Sequence, residues 1–228
     1  MLKSKELRSK AWNSLKGKFG QAFAVTLITG LISSISNIFS TWGQNLSETL
    51  GLVDPSEMDA VMAAGALVLN GVVIVFAILG LLFGIFVSSP ISVGLCNYFI
   101  KNTDSKPLFS DAFSGFKVSY QRNVGTLLLV GIKTVLWSIL LVIPGIIKSY
   151  EYAIIPYILA DEPEISSKDA FKKAKEMMKG NKWRLFKLEF SFFGWACLCV
   201  LTLGIGVFFL IPYVNAAVAE FYVELKNN

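Results

Sequence analysis

Three long stretches of this 228-residue chain contain no Asp, Glu, Lys or Arg: Phe19 to Ser47, Ala60 to Ile100 and Phe190 to Ala219. A soluble fold interrupts its apolar runs with surface charge at short intervals, whereas each of these gaps can hold at least one membrane span of about 20 residues. Composition agrees. The chain is 54% hydrophobic and 16% charged, against about a quarter charged in an ordinary soluble domain. A soluble enzyme is therefore excluded as a fold class, and an all-α polytopic membrane protein is expected.

The first eighteen residues carry Lys3, Lys5, Arg8, Lys10, Lys16 and Lys18 against Glu6, while Leu7, Ala11, Leu15 and Phe19 recur on one face. This spacing predicts an interfacial amphipathic helix over 1–18. It is not a cleavable signal peptide, because its apolar residues are spaced and no small-x-small site follows the hydrophobic run. A first span then runs from Phe19 to about Phe39. The loop Ser40 to Asp59 holds Glu48, Asp54, Glu57 and Asp59 but no Lys or Arg, which places it outside. The second span, Ala60 to Ser89, returns to a segment with Lys101, Lys106, Lys117 and Arg122, so residues 19–89 form one hairpin.

Val124 to Ala160 is too long for one crossing: as a single helix it would measure about 55 Å against a hydrocarbon core of about 30 Å. Pro144-Gly145 is the predicted turn, since Pro lacks an amide donor and Gly tolerates a tight reversal. Residues 106–160 thus read as an amphipathic helix plus a second hairpin. The next segment carries Lys168, Lys172, Lys173, Lys175, Lys179, Lys182 and Arg184, all on the cytoplasmic side if the chain has crossed twice. Ser166 or Ser167 caps a helix with an Ala170, Phe171, Ala174, Met177 and Met178 stripe ending at Gly180. A fifth span, Trp183 to Leu203, a turn at 203–206, and a short sixth span interrupted by Pro212 complete 166–222. The expectation is about six spans in three hairpins, each preceded by a cytoplasmic amphipathic helix, with both termini cytoplasmic.

An internal repeat fits this plan. At an offset of 58, Asp111-Ala112-Phe113 aligns with Asp169-Ala170-Phe171, Lys117 with Lys175, Asn123 with Asn181 and Trp137 with Trp195; a fainter echo at 163 pairs Ala11 with Ala174, Lys16 with Lys179 and Gly17 with Gly180. Parallel units of one orientation are the expected arrangement.

Several motifs carry chemistry. Lys133 falls mid-span, where an unpaired charge costs about 2.5–3.5 kcal/mol; Glu151 on the returning helix is its expected partner, with Lys148 competing for Glu151 and Glu189 competing for Lys133. Pro156 and Pro212, each followed by Tyr, are expected kinks. Gly80 and Gly84 form a GxxxG that suits close helix packing within the chain, or a homodimer. The exposed cations Lys3, Lys10, Lys168, Lys172, Lys175 and Lys179 suit anionic inner-leaflet lipids rather than nucleic acid. The chain has no histidine, which removes His-based acid/base and nucleophile chemistry and most zinc sites. Cys96, Cys197 and Cys199 sit in apolar context as reduced packing residues. No catalytic, cofactor or metal site is expected.

The ordered string Leu136-Trp137-Ser138, Ile143-Pro144-Gly145-Ile146-Ile147, Tyr150-Glu151-Tyr152, Pro156-Tyr157, Asp161-Glu162-Pro163, Gly180-Asn181-Lys182-Trp183, Ser191-Phe192-Phe193-Gly194-Trp195, Gly204-Ile205-Gly206, Pro212-Tyr213 and Phe221-Tyr222 resembles a bacterial integral membrane family known as domain of unknown function number nine hundred seventy-five. With the basic N-terminal helix, the resemblance covers most of the chain. The Pro-Gly hairpin and the Lys-rich helix after it are also distantly similar to the membrane domain fused to some glycerophosphodiester phosphodiesterases. That likeness implies no catalysis, as the hydrolase domain is missing. This chain departs from the family pattern at Glu151, where the pattern has a small polar residue, and near Lys133, where it is apolar. What the resemblance implies is a bacterial integral membrane protein, with no established catalytic residues to carry over. The leading expectation is a non-enzymatic binder of a lipid, a membrane-active peptide or a partner membrane protein. A small transporter or channel is the alternative, since broken helices and buried Lys133, Glu151 and Glu189 could line a path.

Overall fold

A computed structural model describes residues 2–51, 60–202, 204 and 206–227, and among these there is no strand. The helices are α1 (Ser4–Leu15), α2 (Phe19–Gly51), α3 (Ala60–Phe83), α4 (Ser89–Asp104), α5 (Ser114–Lys117), α6 (Tyr120–Leu140), α7 (Val142–Tyr152), α8 (Ile155–Asp161), α9 (Ser167–Met177), α10 (Lys182–Phe190), α11 (Phe193–Leu201) and α12 (Val207–Lys226). A π-helical turn, Gly84–Ser88, follows α3, and a 3-10 turn, Phe109–Phe113, precedes α5.

Three of the described helical stretches are long and apolar enough to cross a membrane: Gly71–Asp104, Tyr120–Leu140 and Val207–Lys226. The bent pair Ser4–Leu15 and Phe19–Ile35, which meet at 98°, makes a fourth if counted as one span. Among the described residues, three or four stretches thus meet this condition, against the six spans expected. The predicted fourth span is divided between α7 and α8, and the predicted fifth between α10 and α11. The predicted first span is longer than expected, since α2 continues past Phe39 to Gly51. Of the predicted acidic loop, Asp54, Glu57 and Asp59 lie outside the described residues, as do Leu203 and Ile205 of the last turn.

The chain divides into two compact units, Gly30–Ser88 and the remainder, Met1–Thr29 with Ser89–Asn228. In Gly30–Ser88 the described side chains are mostly apolar and exposed, Ile74, Val75, Leu79 and Leu81 among them. Helices that show apolar residues all round in this way are suited to lipid rather than water.

The second unit has a core like that of a globular protein. Leu7, Ala11 and Leu15 of α1, Tyr98 and Phe99 of α4, Ile155, Ile158 and Leu159 of α8, Ala170 and Ala174 of α9, and Phe221 and Tyr222 of α12 are all at most 2% exposed. The spacing of Leu7, Ala11 and Leu15 on α1 matches the predicted face and leaves Lys3 and Lys10 exposed. On α9, Ser166 caps the helix by accepting the Asp169 amide, as its position before the apolar stripe requires.

Close backbone contact sets part of this packing. A Cβ on Gly94 would lie 2.1 Å from the Ala112 carbonyl oxygen, and one on Gly115 would lie 2.0 Å from that of Pro90. The 3-10 turn and α5 thus rest on α4 with no side chain between. The predicted amphipathic helix after residue 106 is accordingly shorter than expected, broken into a 3-10 turn and one α-helical turn. Its Asp111 accepts the Leu108 amide at 2.7 Å and pairs with Lys101 at 2.7 Å.

Left-handed backbone occurs at Gly17 (φ 75) between α1 and α2, at Ser119 (φ 49) between α5 and α6, and at Gly180 (φ 77) between α9 and α10. The aligned asparagines behave alike. Asn123 donates to the Gly115 and Val118 carbonyls and accepts from Arg122, while Asn181 donates to the Met177 carbonyl and accepts from Arg184.

Candidate functional site

The charges expected inside the membrane are brought together differently from the sequence-based pairing. Glu151, on α7, is 4% exposed and binds two ammonium groups, Lys148 at 2.8 Å and Lys182 at 2.5 Å. Lys148 is one helical turn away on the same helix, and Lys182 arrives from the start of α10. Lys133 does not join this group. Its Nζ stands 3.7 Å from the centroid of the Phe171 ring, a cation–π contact that replaces an anionic partner. Nor does Glu189 meet Lys133: it accepts a 2.8 Å hydrogen bond from the Tyr150 hydroxyl. The expected Lys133–Glu151 pair is thus corrected to Lys148–Glu151–Lys182. Lys182 lies 31 residues from Glu151, and only the packing of α10 on α7 relates them.

The proline positions are corrected too. The reversal falls at Leu141, whose backbone is extended, and not at Pro144-Gly145. Pro144 sits in the first turn of α7, where its missing amide costs nothing. Gly145 is needed for a different reason: a Cβ there would come 2.5 Å from Ser138 Oγ and 2.8 Å from Ser138 Cα, so it lets α7 close against α6. Pro156 lies in the first turn of α8 and starts that helix after the break at Ala153 and Ile154. Pro212 is buried within α12, which continues through it from Val207 to Lys226.

An apolar cavity of about 570 Å³ is lined by Trp12, Phe19, Trp195, Leu198, Phe209 and Tyr213, among others. The elbow between α1 and α2 forms one wall, and α11 with α12 the other. Trp12 packs edge-on against Tyr213 with ring centroids 5.8 Å apart, and Phe19 stacks on Phe209. Arg8 is fixed beside this wall. It donates to the Ser191 carbonyl at 2.9 Å, its own carbonyl accepts from the Tyr213 hydroxyl, and its guanidinium carbon stands 5.8 Å from the Phe192 ring centroid. The buried Arg8 Nε has no hydrogen-bond partner among the described residues. A second, smaller cavity of about 330 Å³ lies beside Tyr150, Phe186, Glu189 and Phe193.

The exposed cations lie on the outer sides of α1 and of the α9 segment: Lys3, Lys10, Lys168, Lys172, Lys175 and Lys179 are all exposed. Asp111 titrates below the usual carboxylate range. Burial opposes its ionisation, but the Lys101 ammonium and the Leu108 amide outweigh burial. Among the described residues no group of three or more Cys, Asp or Glu is arranged to hold a metal ion.

No curated protein and no solved structure matches the chain. One family does, over a shorter range than the resemblance quoted above: residues 126–228, from the seventh residue of α6 to the C-terminus, match the family described as Protein of unknown function (DUF975).

Proposed function

We propose that this chain is a non-enzymatic protein of a bacterial inner membrane that binds lipid, holding an acyl chain in the cavity between the α1–α2 elbow and α11–α12 and gathering anionic headgroups with its basic helices. The observation that carries this reading is the cavity itself. At about 570 Å³ it is large enough for much of an acyl chain, its lining is almost wholly apolar, and Arg8 lies at its side. A polar solute would find few partners there, so the lining favours lipid over the transporter or channel alternative. Exposed lysines on α1 and α9 supply attraction of about 1 kcal/mol each near an anionic surface. In this reading the basic helices and both termini share the cytoplasmic face, and the apolar segments follow in three pairs, 19–89, 120–160 and 182–222, as units of a parallel repeat. Gly17 and Gly180, which align at the offset of 163 and share a left-handed backbone, and the aligned Asn123 and Asn181, each bonded to a preceding carbonyl, support that repeat. The distant likeness to the membrane domain fused to some glycerophosphodiester phosphodiesterases belongs to the same proposal and assigns no catalysis.

Mass spectrometry of the purified chain tests the reading. Anionic lipid is expected to copurify, and Leu198→Arg, which brings a charge into the cavity, is expected to lose it while eluting from gel filtration like the wild type. Retention of a peptide or protein in place of lipid, or equal lipid retention by the variant, would overturn it.

A further inference from the structure

Within the membrane reading just given, we infer that the α6–α7 and α11–α12 hairpins do not cross the bilayer but turn round inside the leaflet they enter, so that their tips form a docking surface for the acyl chains of a single monolayer. The depth follows from where α9 is fastened. With Lys168, Asp169, Lys172, Lys173, Lys175 and Glu176 within eleven residues, α9 has to remain among headgroups and water. It is held to the side of α6 and α7: Thr126 Oγ1 lies 2.7 Å from Ser167 Oγ, Lys133 Nζ stands 3.7 Å from the Phe171 ring centroid, and Tyr152 packs edge-on against Phe171 at 5.3 Å. Lys148 and Glu151 of the charged knot lie on the same stretch of α7, and Lys182 reaches them from the start of α10. The headgroup level therefore crosses α6 near Lys133. From Lys133 to the bend at Leu141 is eight residues, or about 12 Å at 1.5 Å per residue, against a hydrocarbon core of about 30 Å. The hairpin is short of the far surface by more than half the membrane.

The tip is built for that position. Residues 139–143 are all apolar and 62–78% exposed, with no polar side chain to meet water or headgroups on the far side. Backbone groups at a turn in hydrocarbon must find partners within the protein. Here the Leu141 amide donates to the Trp137 carbonyl, and the Leu141 carbonyl accepts from the Gly145 amide, both at 3.1 Å. The α11–α12 tip repeats the pattern. Arg8 and α1 fix the level near Ser191 and Tyr213, and Tyr213 is seven residues, about 10 Å, from Gly206. The Gly204 amide donates to the Cys199 carbonyl and the Gly206 amide to Thr202 Oγ1, while Val200 and Leu201 are 76% and 79% exposed.

Spin-label depth measurements decide this. In the full chain, with its three cysteines replaced by alanine, nitroxides are placed singly by Val135→Cys, Ile139→Cys, Leu141→Cys and Ile143→Cys, with Lys175→Cys as surface reference. All five positions are exposed, so the substitutions disturb no packing. In vesicles of phosphatidylcholine with one-third phosphatidylglycerol, collision with oxygen against a water-soluble nickel chelate reports depth. The expected profile deepens from 135 to a maximum at 139–143, with the chelate collision rate at Leu141→Cys at least tenfold below that at Lys175→Cys. A profile deepest at 135, with 141 as open to the chelate as 175, means that the hairpin crosses, and overturns this inference alone. Chelate access at all five positions overturns both this inference and the membrane reading beneath it.

Discussion

At the scale of single residues, Glu151 is a buried charge held by two ammonium groups. Removing one partner of a buried ion pair costs about 3–5 kcal/mol, because the remaining charge is left without compensation; the lysines here are about a quarter exposed, which lowers the expected cost to about 2–3 kcal/mol. Glu151→Gln should therefore unfold at clearly lower temperature in detergent, while Lys133→Met, which gives up only a cation–π contact, should lose about 1 kcal/mol or less. A Lys133→Glu, Glu151→Lys exchange should show no rescue. Rescue would restore the pairing that the sequence suggested. The Lys148–Glu151 half of the knot is legible from spacing alone, since i,i+3 residues on a helix are neighbours. Lys182 is not, and the partner of Lys133 is an aromatic ring, which charge bookkeeping does not look for.

Asp111 contributes a pH dependence on the acid side. Its carboxyl titrates lower in the folded chain than in the unfolded one, so it contributes stability that is fully present above the ordinary carboxylate value of about 3.9 and is lost as pH falls from there through the folded-state value. Asp111→Asn should cost about 1 kcal/mol at neutral pH, mainly through the weakened contact with the Leu108 amide and the lost Lys101 pair. It should also flatten the acid side of a plot of melting temperature against pH. An unchanged acid limb would remove Asp111 from that role.

At the scale of elements, two glycines decide whether α4 can hold the segment after it. Gly94→Ala and Gly115→Ala each press a methyl group into a backbone carbonyl, which cannot swing away as a side chain could. Each should cost about 1–3 kcal/mol or more. Gly125→Ala on α6, where a Cβ meets open space, should be neutral or stabilise by up to about 1 kcal/mol. Thermal melts of the three variants separate a packing role from a general effect of removing glycine. In the sequence Gly94 reads as one of several glycines near the GxxxG that allow close helix approach, with nothing to say that the segment after α4 is what approaches. The helix boundaries show the same division. Gly17 and Gly180 end amphipathic stretches where composition says they should, because a left-handed residue there must be one that tolerates positive φ. Ser119 does the same work without a glycine and leaves no signal. Pro144 misled the reading of the reversal by one turn, since proline marks a helix start as readily as a stop, and the bend itself falls on Leu141, a residue with no turn propensity.

At the scale of the molecule, the charge-free gaps made the membrane setting and the all-helical class legible, because exclusion from hydrocarbon acts on composition directly. They did not make legible how many helices cross. Helix length and apolarity are the same whether α6 runs through a bilayer or lies against α9, and what separates the cases is a handful of contacts between residues 30 to 45 positions apart, such as Thr126 with Ser167 and Lys133 with Phe171. The core of α1, α4, α8, α9 and α12 was likewise foreshadowed only by the buried faces of α1 and α9. Of its aromatic centre, Tyr98 and Phe99 lie beyond the predicted second span and Phe221 and Tyr222 at the end of the predicted sixth.

The exposed apolar bend at Leu141 has a mechanical corollary. A body that occupies area in one monolayer and none in the other expands that monolayer alone, and a sheet so treated relaxes by bulging toward the expanded side. Small vesicles, whose outer monolayer is already stretched, would then accept the two tips at less elastic cost than flat membranes, and many copies side by side would bend a flat membrane themselves.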